Sequence, residues 1–128
     1  MQEKTISDKG LELMLKFEDF IKFPYKDPNG YVAVGYGQTF WEDGTKIKRI
    51  KITIPQERAL ELFKTHLKFY EKYVNTACDQ LINQNQFDAL VSFAYDEGIQ
   101  ALRHSKLLRR LNRDRFDPEI VTEFYKFQ

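Results

Sequence analysis

A chain of 128 residues with 42% hydrophobic content is long enough for one domain with a real core. Its formal net charge of +1 gives no overall field for nucleic acid or an anionic surface, so electrostatic targeting has to come from a local patch. The single cysteine, Cys78, excludes an internal disulfide framework and reads as a small buried apolar residue, while His66 and His104 lack the spacing of a metal site or of a cysteine's catalytic partner.

The first residues, MQEKTISDKG, contain no apolar leader core, and nowhere do about eighteen apolar residues run together. Synthesis in the cytoplasm without a signal peptide and without stable membrane insertion is therefore expected, with delivery to any external substrate left to another component. Ser7 or Asp8 can cap a first helix whose Leu11, Met14 and Leu15 follow the rhythm of one helical face. The next position on that stripe is Glu18, a carboxylate where the pattern asks for a core residue. Pro28-Asn29-Gly30 is a turn signal, YVAVGYG reads as a strand, Asp43-Gly44 marks a hairpin turn, and alternating Lys46 to Ile54 is expected to complete a small sheet.

Thr53 with Gln56 three residues on, and Pro55 between them, predicts the start of a long helix lined by Leu60, Phe63, Leu67, Tyr70 and Val74. Asn83 with Gln86 forms a second capping-box pattern before Phe87, Leu90, Val91 and Ala94, and Gly98 is placed to stop that helix. Two shorter helices follow, one from near Ser105 and one opened by Asp117-Pro118-Glu119. No repeat or linker interrupts the order, so the expectation is a single α+β domain over 1–128. A small sheet sub-lobe occupies about 20–53, and a helical lobe of about 54–128 is joined by the N-terminal helix.

Glu18 and Asp27 are the carboxylates of chemical interest. Glycosidic cleavage uses one carboxyl kept protonated to donate to the leaving oxygen and a second kept ionised to activate water or balance positive charge. Glu18 stands among Leu15, Phe17 and Phe20, where desolvation favours the protonated form, whereas Asp27 follows Lys26 in a polar turn. By itself the pair is weak, because nineteen acidic residues offer many such spacings.

The stretch LKFEDFIKFPYKDPNGYVAVGYGQT adds specificity, since it resembles the active-site segment of the phage-type lysozymes, glycoside hydrolase family 24. Glu18, Asp27, Gly35, Gly37 and Thr39 fall on that family's motif positions. A second segment, NQNQFDALVSFAYDEG followed by SKLLRRLN, is similar to the family's central helix and the one after it. The resemblance implies a lysozyme-like α+β fold with a cleft between sheet and helical lobe. It also implies hydrolysis of the bond between N-acetylmuramic acid and N-acetylglucosamine in bacterial peptidoglycan, and no cofactor or metal. By the same carry-over Glu18 is the general acid and Asp27 its partner. Tyr95 and Ser105 match substrate-binding positions that line the cleft, and Tyr36, in the sheet motif, is grouped with them, with packing as the open alternative for all three.

Two motif positions are altered: Ala33 stands where the family has a threonine that steadies the attacking water, and Gln38 replaces a histidine. Asp96 occupies a position that is asparagine in many relatives. Many members also continue beyond this chain's EFYKFQ, which leaves Ile120, Phe124 and Phe127 either to pack in a shortened lobe or to mark an association surface on an otherwise monomeric protein. The altered motif keeps open a second reading, a lysozyme-fold module that binds peptidoglycan or a partner protein without turnover. A third, structural role in a particle or secretion device is weaker. Arg103, Lys106, Arg109, Arg110, Arg113 and Arg115 form a basic cluster, but Leu107, Leu108 and Leu111 on the same helix must face a core, so nucleic acid is not expected as a partner.

Overall fold

The Ser7 hydroxyl accepts a hydrogen bond from the Gly10 N–H at 3.0 Å, and helix α1 runs from Asp8 to Leu15 behind that cap. In the computed structural model, which describes residues 3–78, 82–114 and 116, the chain divides into two compact units. One comprises Glu12–Leu67, the other Met1–Leu11 with Lys68–Gln128, so the long helix α2 (Gln56–Ala77) contributes residues to both.

In the first unit, β1 (Ile21–Lys26) pairs antiparallel with β2 (Val32–Gly35), matching Tyr25 with Ala33 and Lys26 with Val32, with an irregularity between Ile21 and Tyr25. The Pro28-Asn29-Gly30 turn joins them, closed by the Gly30 N–H on the Asp27 carbonyl at 3.0 Å with Gly30 at φ 88°. YVAVGYG is a strand only as far as Gly35. There Val34 and Gln38 bridge to each other and the chain folds back on itself. Gly35, at φ 70°, also lets the strand press against α2, since a Cβ at this position would lie 2.9 Å from the Ala59 Cβ.

The Asp43-Gly44 turn forms as the sequence predicts, with the Trp41 N–H on the Thr45 carbonyl at 2.8 Å and a Phe40–Lys46 bridge. The expected strand from Lys46 to Ile54 does not form. Ile50 and Ile52 donate to the carbonyls two residues behind them, at 2.9 and 3.0 Å, and such tight local turns break the ladder. Only the Ile54 N–H, on the Lys22 carbonyl at 2.8 Å, ties this segment's end to β1.

The Thr53 capping box is likewise not used. Helix α2 begins at Gln56, and the Pro55 carbonyl takes the first bonds, from Arg58 at 3.0 Å and Ala59 at 3.1 Å. Phe63, Leu67 and Val74 of the expected stripe are buried, Ala59 and Leu62 join them, and Leu60 and Tyr70 are only half-buried. Ala33, Val34, Ile47 and Ile54 complete this core.

The second unit's core holds Val74, Cys78, Phe87, Leu90, Val91, Ala94, Leu102, Leu107 and Leu111. Helix α3 (Gln84–Glu97) carries the predicted capping box in full, Gln86 N–H to the Asn83 side chain at 2.8 Å and Asn83 N–H to the Gln86 side chain at 3.0 Å. Gly98 ends it at φ 97°, and a five-residue helix α4 (Ile99–Arg103) and then α5 (Lys106–Arg113) follow.

The amino-terminal segment is fastened to this unit by polar bonds. The buried Glu71 carboxylate accepts from the Ile6 N–H at 2.6 Å, Asn75 bonds both backbone groups of Lys4, and Asp88 accepts from the Ser7 N–H at 3.0 Å and from the Ser7 hydroxyl. The helix read at Asp117-Pro118-Glu119, with Ile120, Phe124 and Phe127, lies outside the described residues. Among the described residues no helix is long and apolar enough to cross a membrane.

Candidate active site

Helix α1 stops at Leu15, and its last turn tightens into bonds from Phe17 N–H to Met14 carbonyl at 3.3 Å and Glu18 N–H to Leu15 carbonyl at 3.2 Å. Glu18 therefore leaves the stripe of Leu11 and Met14 and sits half-buried just past the helix end. The apolar enclosure expected around it is incomplete, because Phe17 is turned outward and is 87% exposed. Phe20 does turn inward, with its ring 5.7 Å from that of Tyr36.

Asp27 follows directly on β1, where the turn of Pro28-Asn29-Gly30 fixes it. Its Oδ1 accepts from the backbone N–H groups of Asn29 at 2.9 Å and Tyr31 at 2.8 Å, so the carboxylate is oriented by the backbone and not by another side chain.

Tyr25 lies on the strand that leads into Asp27. It stands on β1 opposite Ala33, two residues before Asp27. Partial burial raises the pKa of its phenol above the ordinary tyrosine value, and the negative charges of Asp27, Glu18 and Asp19, in that order, push it further. Glu18 and Asp27 belong to the same compact unit of the fold.

The other motif positions are packed. Ala33 is 1% exposed and puts a methyl group beside Tyr25. Gln38 is buried, with its amide on the Tyr36 carbonyl at 3.4 Å. Tyr36 is 6% exposed, wedged between Phe20 and Phe63, and its hydroxyl accepts from the Gln56 amide at 2.9 Å, so packing describes it better than a sugar platform does.

Tyr95 and Ser105 belong to the other unit. Tyr95 is half-buried, edge-on to Tyr70 at 5.5 Å between ring centres. Ser105 is buried as the cap of α5, its hydroxyl donating to the Leu102 carbonyl at 2.6 Å and accepting from the Leu108 N–H at 3.0 Å. Leu107, Leu108 and Leu111 are buried as expected, beside the exposed Arg103, Lys106, Arg109 and Arg113; Arg115 lies outside the described residues.

The family model described as phage lysozyme matches residues 15–128. The chain belongs to the phage lysozyme family. The endolysin of Bacillus phage B103 is 33% identical over 125 residues, which cover 96% of this chain, but the chain spans only 45% of that relative's length. Among solved structures, the fold is similar to an endolysin from Escherichia coli O157:H7 phage FAHEc1, with a TM-score of 0.84, 28% identity, and coverage of 98% of this chain and 75% of that one. It is also similar to the muramidase domain of SpmX from Asticaccaulis excentricus, with a TM-score of 0.75, 34% identity, and coverage of 96% of this chain and 76% of that one. The chain has the α+β lysozyme-like fold of the phage lysozyme family.

Proposed function

We propose that this chain is a muramidase that hydrolyses the bond between N-acetylmuramic acid and N-acetylglucosamine in bacterial peptidoglycan and so lyses cell walls after release or delivery by another component. What supports this reading is the match to the phage lysozyme family over residues 15–128, with Glu18 and Asp27 in one compact unit of the fold. Glu18 gives its proton to the leaving glycosidic oxygen. Asp27, oriented by the Asn29 and Tyr31 N–H groups, presents the second carboxylate to a water that attacks the anomeric carbon.

With a methyl group at Ala33 no hydroxyl from that position steadies the water. Losing one oriented hydrogen bond costs on the order of 10²-fold in rate, which slows the reaction without abolishing it. Purified peptidoglycan tests the reading: the wild type releases reducing sugar and Glu18→Gln does not. Wild type and variant equally inert on several wall types would overturn it, and retention on insoluble wall without sugar release would identify a binding module in its place. Anomeric NMR of the first product reports inversion for water attack and retention for attack by Asp27 itself.

A further inference from the structure

The net charge of +1 conceals an uneven distribution of cations. From Thr45 to Gln56 the chain carries Lys46, Lys48, Arg49 and Lys51 and no carboxylate, and all four are exposed. The Ile54 N–H on the Lys22 carbonyl ties the end of this segment to β1 and brings the exposed Lys22 alongside. Among the described residues the salt bridges all involve Arg58, and none reaches these five cations.

Large apolar side chains stand among the charges. Phe23 and Ile50 are 51% and 55% exposed, and with Pro24, Ile52, Arg49 and Lys51 they line an open groove of about 630 Å³. The N–H groups of Ile50 and Ile52 are already bonded within the segment, so an added β-strand finds no ladder to join. A soluble polyanion would meet the cations and leave Phe23 and Ile50 in water. A bilayer with anionic headgroups meets both, because Lys and Arg keep their charges at the phosphates while their stems and the neighbouring apolar side chains reach the acyl boundary.

We infer that this face of the sheet unit docks reversibly on an anionic lipid bilayer, a membrane contact that is separate from the muramidase reading and does not rest on it. Phe23 and Ile50 enter the headgroup boundary, the cations hold the surface around them, and no helix is inserted. Phe23 lies on β1, which leads into Asp27 four residues on. At about 3.3 Å per strand residue, docking holds Asp27 within roughly 13 Å of the membrane surface.

Co-sedimentation of the full chain with vesicles tests this. Saturable binding is expected to phosphatidylcholine vesicles containing about one-third phosphatidylglycerol, falling away in about 0.5 M salt, and none to phosphatidylcholine alone. At about fivefold per cation, Arg49→Gln with Lys51→Gln is expected to weaken binding about 25-fold. Ile50→Ser is expected to weaken it about fivefold. These three positions are exposed, and an unchanged urea midpoint verifies folding. Absence of binding to the anionic vesicles would overturn the inference, as would equal binding to neutral ones or binding that survives the loss of both charges. So would soluble polyglycerol phosphate displacing the protein at equal phosphate, since the apolar side chains would then contribute nothing. Anionic vesicle binding by a chain that releases no sugar from peptidoglycan would uphold this inference and overturn the muramidase reading alone.

Discussion

Gly35 carries two separate demands, and Gly35→Ala tests both. Its φ of 70° costs an L-residue about 1–2 kcal/mol. The added Cβ would meet the Ala59 Cβ at 2.9 Å and the Ala59 Cα at 3.4 Å, where the neighbour is helix backbone and cannot swing aside; overpacking of this kind costs about 1–3 kcal/mol. The two contributions together predict a loss of about 2–5 kcal/mol, a large part of a stability that for domains of this size is about 5–15 kcal/mol.

Ala59→Gly separates them. Alone it weakens α2 by about 1 kcal/mol, but in the Gly35→Ala background it relieves the contact and leaves the dihedral penalty in place. Urea denaturation of the four proteins should therefore show a coupling of about 1–3 kcal/mol in favour of the double variant. Additivity within about 0.5 kcal/mol would refute the contact argument, and a Gly35→Ala protein as stable as wild type would refute both.

Three further outcomes follow from the site. Because Asp27 and Glu18 each push the Tyr25 phenol up, Asp27→Asn and Glu18→Gln should each lower its pKa, with the aspartate change larger; NMR titration of the Tyr25 ring checks this, and a value unmoved by either change would separate the three groups. Asp96 is exposed as a residue, yet partial burial of its carboxyl and then the charge of Glu97 raise its pKa, at a helix end without a basic residue in its last turn. A raised folded-state pKa means the folded form favours the proton, so this contribution is present below the ordinary aspartate range and lost as pH rises through the raised value. Asp96→Asn should then stabilise at pH 7 by about 0.3–1 kcal/mol, about 1–4 °C in Tm, with the gain vanishing in acid; calorimetry at both pH values decides. Ala33→Thr should raise kcat by up to about 10²-fold while costing about 1–3 kcal/mol, since the extra atoms enter a site that is 1% exposed; a folded variant with unchanged kcat would remove position 33 from the chemistry.

Features encoded by neighbours in sequence were legible. The Asn83–Gln86 box, the Gly98 stop, the Ser105 start and the turns at Gly30 and Gly44 each need only a few residues to define them, and each forms. Strand β1 was not legible, because IKFPYK contains a proline and buries only Pro24 fully, without the alternation that marks a half-buried strand. The Thr53 box failed for the opposite reason. Its residue types are correct, but the turns at Ile50 and Ile52 and the Pro55 carbonyl provide another way to begin the helix. At the site, the motif located Glu18 and Asp27, yet whether Phe17 would shield Glu18 depended on where α1 ended, and whether Tyr36 faced a sugar or Phe63 depended on packing that no local pattern encodes.

The cap of α1 bears on the order in which this protein folds. An eight-residue helix is too short to persist alone, and the Ser7 side chain that starts it is held by Asp88, 81 residues away. Closing a loop of that length costs about 4 kcal/mol of chain entropy before the bond is made. Helix α3, with both halves of its cap supplied within four residues, has no such requirement. The transition state should accordingly hold α3 formed and α1 unformed, so that Asn83→Ala slows folding whereas Ser7→Ala chiefly speeds unfolding. The segment that leads into Glu18 would then be the last to set and the first to loosen.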